Sequence, residues 1–225
     1  PGGLIAVGLF VVVVGMLVKQ PDLGMAVVVA AVWLVQVFLA GLPMMFVVLL
    51  GAGAVIGLFG AYRLLPHVAS RIDRFLDPST GDSYQIDRSI EAFANGGLFG
   101  RGPGEGTIKN WLPDAHADFV FAVAGEELGL ITCLLIVGLF SVVVLRSVLR
   151  LMHEQSLFVI LAAAGLVTQL GLQALVNMAS SLHLMPTKGM TLPFISYGGS
   201  SLLALALGVG MLLGLTRRRF GGADT

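Results

Sequence analysis

Two carboxylates, Asp114 and Asp118, flank a histidine in the run Trp111-Leu112-Pro113-Asp114-Ala115-His116-Ala117-Asp118-Phe119. In a helix they would stand one turn apart on one face, and carboxylates that close either share a proton or hold a cation. At the rim of an apolar region a carboxylate pKa rises towards neutrality, which makes Asp118 a candidate general base for a hydroxyl nucleophile. Pro113 suits the first turn of a helix, and Trp111 a membrane interface. The blander readings are a helix cap for Asp114 and a headgroup-layer position for His116. Glu126 and Glu127 follow two turns later, where an ionisable group costs about 2.5–3.5 kcal/mol at mid-bilayer. They require water or a partner, and a Lys or Arg on another helix is the plainest choice.

A second polar stretch, Leu184 to Ser201, combines two prolines, three glycines, several hydroxyls and Lys188. It reads as an irregular external loop feeding a helix N-terminus, where free N–H groups, Ser200, Ser201 and the Lys188 ammonium would attract phosphate. Gln20-Pro21-Asp22 breaks the chain on the same side, and Arg74 and Arg101 add cations from the long loop. The glycine-rich run Gly100 to Gly106 has neither GxGxxG nor a GK[ST] ending, so nucleotide binding is not expected, and neither is a nucleic-acid partner. Carboxylates, cations and helix N-termini beside apolar walls are what a lipid-linked pyrophosphate requires: a hydrocarbon slot, charge for the diphosphate, and a base for a sugar hydroxyl.

The elements that position these groups are membrane helices. Of 225 residues 56% are apolar and 12% charged, against roughly 25% charged in a soluble domain. Apolar runs long enough for a bilayer occur at about 4–18, 25–39, 44–61, 119–149, 157–179 and 201–215. This predicts an all-α integral membrane bundle of about six transmembrane helices, since lipid forces the backbone to satisfy itself. Three spans fill 1–61 and three fill 119–225, the latter with an external loop at 180–200 and a basic tail. Between Arg63 and Asp118 lie 14 of the 26 charged residues, so 62–118 is predicted to be a large extracytoplasmic loop. Within it Ile86, Ile90 and Phe93 recur at helical spacing from Gln85 to Asn95, predicting an amphipathic helix on the membrane that ends at Gly96-Gly97.

Arg146, Arg150 and the cluster at Arg217 mark one end of the bundle as cytoplasmic. The carboxylates and polar loops then face the external side. The single cysteine, Cys133, excludes a disulfide framework. The start at Pro1-Gly2-Gly3 reads as a truncation, not a signal peptide.

The ordered motifs Gln20-Pro21-Asp22-Leu23-Gly24, Arg74 to Pro78, Tyr84-Gln85, Gly96 to Gly100, Leu112 to Phe121, Glu126 to Gly129, Pro186 to Gly189 and Pro193 to Ser201 resemble the SEDS family of shape, elongation, division and sporulation proteins. The resemblance covers nearly the whole chain and is nearer the division branch than the RodA-like elongation polymerases. It implies a ten-helix fold with about four helices missing from the N-terminus. It implies a peptidoglycan glycosyltransferase that polymerises lipid II during septal cell-wall synthesis, in the inner membrane at the division septum. A lipid II flippase is the alternative from another class.

The resemblance places the essential carboxylate on Asp118, as base for the acceptor 4-hydroxyl or ligand of a divalent cation, Mg or Mn. It places diphosphate recognition on Lys188. It further implies undecaprenyl-diphosphate glycan as substrate, a class B penicillin-binding protein (FtsI-like transpeptidase) as partner, and other divisome proteins. Asp114 stands where the family generally has Glu and Ala117 where it has Thr. The second change removes any role for a hydroxyl there.

Overall fold

The computed structural model describes residues 2–20, 22–76, 84–186 and 189–217. They form eight α-helices: α1 Gly2–Lys19, α2 Leu23–Leu39, α3 Met44–Leu64, α4 Pro66–Leu76, α5 Tyr84–Gly96, α6 Val120–Leu151, α7 Leu157–Ser181 and α8 Gly199–Thr216, with a 3-10 turn at Ile108–Trp111. Five of them are long and apolar enough to cross a membrane, and α2, with 17 residues, is the shorter sixth. The predicted polytopic helical bundle is therefore the observed one.

Helix α7 is the hub, packed by α2, α6 and α8. Its Ala163, Ala164 and Gly165 admit neighbours closely, and the Gln36 amide donates to the Leu161 carbonyl at 3.1 Å where a side chain at Gly165 would collide with it. Interhelical hydrogen bonds of this kind hold helices together where lipid supplies no hydrophobic drive. Helices α1 and α3 bury no residue, as expected of helices whose surroundings are apolar throughout. A Cβ at Gly53, Gly57, Gly210 or Gly214 would meet nothing within 4 Å among the described residues.

Three predictions need correction. Residues 62–64 belong to α3, and the loop that follows holds a second helix, α4, joined to α3 by the Tyr62 hydroxyl donating to Asp73 at 2.8 Å. Helix α5 does not simply lie on the membrane: it buries Ser89, Ala92 and Gly96 against α6 and α7, while Ile90 stays 45% exposed. The third concerns α6, which is too long for one span because it is two pieces.

Gly129, at φ 83° and ψ 177°, breaks α6. A break in a helix strands backbone groups, which in an apolar setting must find other partners. The segment after α5 supplies them. Arg101 and Gly102 donate to the carbonyls of Glu126 and Glu127 at 3.0 Å each, and the carbonyls of Gly97 and Leu98 accept from Leu130 and Ile131 at 2.9 and 3.3 Å. Glycines permit this approach: a Cβ at Gly96 would lie 2.0 Å from the Gly125 carbonyl oxygen, and one at Gly100 2.2 Å from that of Glu127.

Candidate functional site

Residues 113–118 do not form the helix in which the two carboxylates would share a face. They are a tight non-helical turn in which Asp114 adopts φ 52° and its carbonyl accepts from the Ala117 and Asp118 amides at 3.0 and 2.9 Å. The cap of α6 is Phe119, with no side-chain cap, so Asp114 is not a capping residue. Aspartate tolerates the left-handed region better than most side chains, and the turn still holds the two carboxylates within electrostatic reach. Burial raises the Asp118 pKa above its ordinary 3.8, the neighbouring Asp114 charge raises it further, and His116 opposes them.

Asn177 fixes the position of Asp118. This side chain on α7 is fully buried, and its amide donates to the Asp118 carbonyl at 2.8 Å and to that of Met190. One residue thereby ties the carboxylate turn to the loop before α8. Gly189 closes the junction: a Cβ there would lie 3.1 Å from Asp118 Oδ2, and its φ of +55° is one that glycine adopts without strain. Gln173, one turn before Asn177, donates to the Thr191 carbonyl at 3.1 Å, and the Thr191 and Ser201 hydroxyls share a hydrogen bond of 2.8 Å. Neither Asn177 nor Gln173 was singled out from the sequence, although amides four apart inside an apolar span were the available signal.

Two cavities lie near this turn. The first, of about 600 Å³, has a polar mouth that includes Asp22, Gly189, Thr191, Ser200 and Ser201. It continues along apolar residues of α7 and α8 as far as Leu212, roughly 18 Å from Ser200 at 1.5 Å per residue. The Asp22 carboxylate also caps α2, accepting from the Met25 amide at 3.0 Å. The second cavity, of about 680 Å³, is lined by Lys109, Ala115, His116, Ser196 and Tyr197 among others. His116 forms one wall by an edge contact with Tyr197, ring centroids 5.5 Å apart, while its carbonyl accepts from the Tyr197 amide at 2.9 Å. Asp118 itself lines neither cavity: its carboxylate lies against Gly189, a wall residue of the first, and its turn contributes Ala115 and His116 to the second.

The remaining candidates divide. Glu126 is fully buried and meets no cation among the described residues. Its carboxylate accepts from the Asn95 amide at 2.8 Å and from the backbone amides of Thr107, Ile108 and Lys109 at 2.9, 2.9 and 3.1 Å. Glu127 pairs with Lys109, a loop residue, where another helix was expected to provide the cation. Both acids thus shape the outer loop. Arg101 lines neither cavity, and its Nε donates to the Asn95 carbonyl at 3.2 Å. Lys188 and the side chain of Arg74 lie outside the described residues. Among the described residues no three acids, histidines or cysteines converge as a metal site.

Removing the Glu126 carboxylate leaves four donors unpartnered, and hydrogen bonds to a charged group contribute about 1.5–3 kcal/mol each, not additively. Glu126→Ala is expected to cost about 3 kcal/mol or more, and Glu126→Gln, which keeps one acceptor oxygen, about half that. Thermal unfolding of the protein in detergent reads both. An alanine variant as stable as the parent would show that the outer loop is held some other way.

Known proteins resemble this chain in sequence and in fold. Residues 2–220 match the FtsW/RodA/SpoVE family model, described as "Cell cycle protein". A probable peptidoglycan glycosyltransferase FtsW of Caulobacter vibrioides is 47% identical over 221 residues, 98% of this chain and 57% of the relative. The stage V sporulation protein E of Bacillus subtilis is 37% identical over 202 residues, 88% of this chain and 55% of the relative. Among solved structures, one of a peptidoglycan synthase complex that coordinates polymerization and crosslinking superposes with a TM-score of 0.72 at 32% identity, covering 94% of this chain and 60% of that one. A mutant of the rod shape determining protein RodA of Thermus thermophilus gives 0.64 at 31% identity, covering 96% and 57%. The chain thus spans little more than half the length of these relatives.

Proposed function

Because the chain belongs to the FtsW/RodA/SpoVE family, we propose that it carries the reacting carboxylate of a peptidoglycan glycosyltransferase, which joins lipid II units into glycan strands at the division septum. The single observation that supports this most is that the Asp118 turn borders two cavities, through Gly189 on one side and through Ala115 and His116 on the other. A polymerase must bring two large substrates to one base, and the two cavities offer each of them a foothold beside the turn. The first suits a lipid-linked diphosphate, with hydroxyls and amides at its mouth and an apolar groove beyond. The second, with an aromatic and an imidazole wall, suits the incoming sugar.

In this reading Asp118 Oδ takes the proton of the acceptor 4-hydroxyl as that oxygen attacks the anomeric carbon of the donor. The bond from that carbon to the diphosphate oxygen breaks, and the undecaprenyl diphosphate leaves with the electron pair. Lys188, adjacent in sequence to the Gly189 that packs on Asp118, would balance the diphosphate charge. Asp118 is also the residue that would hold a Mg or Mn ion. Such an ion would neutralise charge on the leaving group. An FtsI-like class B penicillin-binding protein is the proposed partner, and the periplasmic face the proposed side of reaction.

The flippase alternative needs a polar route from one face to the other. Between Leu157 and Val167, the half of α7 remote from Asp118, no side chain is polar, whereas Thr168, Gln169, Gln173, Asn177, Ser180 and Ser181 crowd the other half. This supports chemistry at one face.

The test is polymerisation of purified lipid II by the full-length protein with its transpeptidase partner, followed across pH. Glycan strands are expected, at a rate that falls in acid as Asp118 gains its proton. Since burial and Asp114 raise its pKa, the midpoint should lie above the ordinary 3.8 of an aspartate. Transbilayer movement of lipid II without strand formation would overturn the proposal. A rate that holds steady to pH 4 would remove Asp118 as the titrating base.

A further inference from the structure

At the end of the bundle remote from Asp118, the last turns of α6 and α8 and the first turn of α7 enclose a cavity of about 1160 Å³. From Gly129 to Leu151, α6 covers roughly 33 Å at 1.5 Å per residue, the thickness of a bilayer core. The cavity therefore opens at the opposite interface from the carboxylate. Arg146, Arg150 and Arg217 line it together with His153. Arg146 and Arg150 are four residues apart and share one face of α6. Glu154 is the one acidic residue of the lining, and its Oε1 accepts from the Gln155 and Ser156 amides at 3.1 Å each, at the start of α7. Among the described residues the ion pairs are Arg88–Glu91 and Lys109–Glu127, so none engages these three arginines. The walls beside them are apolar: Leu149, Phe158, Val159 and Leu215, with Phe158 72% exposed.

We infer that this cavity binds the headgroup phosphate of an anionic phospholipid, with the acyl chains laid against its apolar wall. Guanidinium groups gathered at the edge of a low-dielectric slab repel one another, and a phosphate between them relieves that repulsion with bidentate hydrogen bonds. Basic pockets between membrane helices select anionic headgroups on the same grounds. The apolar wall favours a lipid over free phosphate, which would leave Phe158 and Leu149 in water. The inference is independent of the glycosyl transfer proposed above.

The test titrates the full-length protein, delipidated in a neutral detergent, with phosphatidylglycerol, phosphatidylcholine and inorganic phosphate, and counts retained lipids by native mass spectrometry. Phosphatidylglycerol is expected to bind saturably and at least about ten-fold more tightly than phosphatidylcholine, and a large excess of inorganic phosphate should not displace it. Arg146→Gln with Arg150→Gln and Arg217→Gln should erase that preference, and the matching lysine variants should keep most of it. Equal binding of the two lipids by the unaltered protein would overturn the inference without any variant being needed. Displacement by inorganic phosphate would overturn the choice of lipid, and an undiminished preference in the glutamine variant would overturn the site.

Discussion

Alanine at Gly129 is expected to undock the outer loop from α6 and to destabilise the protein by about 4 kcal/mol or more. Two costs combine. A backbone at φ 83° and ψ 177° is open almost exclusively to glycine, and another residue forced into it stores about 1–3 kcal/mol. The added methyl would also lie 2.4 Å from both the Gly100 nitrogen and the Leu98 oxygen, backbone atoms that cannot swing aside. Relief requires separating the two chains, which breaks the four hydrogen bonds that cross the junction, each contributing about 0.5–1.5 kcal/mol. The sum is a large share of the roughly 5–15 kcal/mol that holds a typical domain. The check is thermal unfolding of the purified protein, with proteolysis of the 97–111 segment as a local readout. An alanine variant unfolding within about 0.5 kcal/mol of the parent, with that segment still protected, would mean that the junction can shift to accept a side chain.

The spans were legible because their signal is long and one-sided. Each predicted run lies within three residues of the helix boundaries, and the break at Gly129 explains why the fourth exceeds the length of a span. The break itself was hidden, since a glycine within an apolar run reads as packing, and only the backbone of residues 97–102 reveals what Gly129 is for. Helix α4 was open to reading from Val68, Ile72, Phe75 and Leu76 at helical spacing, and it was missed because the charges around it made the whole segment look like loop.

Within the site, residue chemistry was easier to read than residue geometry. The sequence pointed to Asp118, and the structure sets it beside an apolar groove and the loop that contains Gly189. Its relation to Asp114 came out differently, through a turn with a left-handed aspartate in place of a shared helix face, because a proline before the pair permits either. Glu126 shows the limit most plainly. A carboxylate in an apolar run suggested a cation, yet backbone amides satisfy it, and amides carry no side-chain signature that a sequence could display.

The central claim is that the Asp118 carboxylate takes a proton in the bond-forming step. Asp118→Asn tests it most directly, because asparagine keeps the shape of the side chain and leaves the backbone carbonyl available to Asn177 while removing the base. General-base catalysis contributes roughly 10²–10⁴ in rate. The full-length variant with its transpeptidase partner is therefore expected to form glycan strands from lipid II at least about a hundred-fold more slowly than the parent, with unchanged thermal unfolding and retained lipid II binding. Strand synthesis at the parental rate by a folded Asp118→Asn protein would contradict the account.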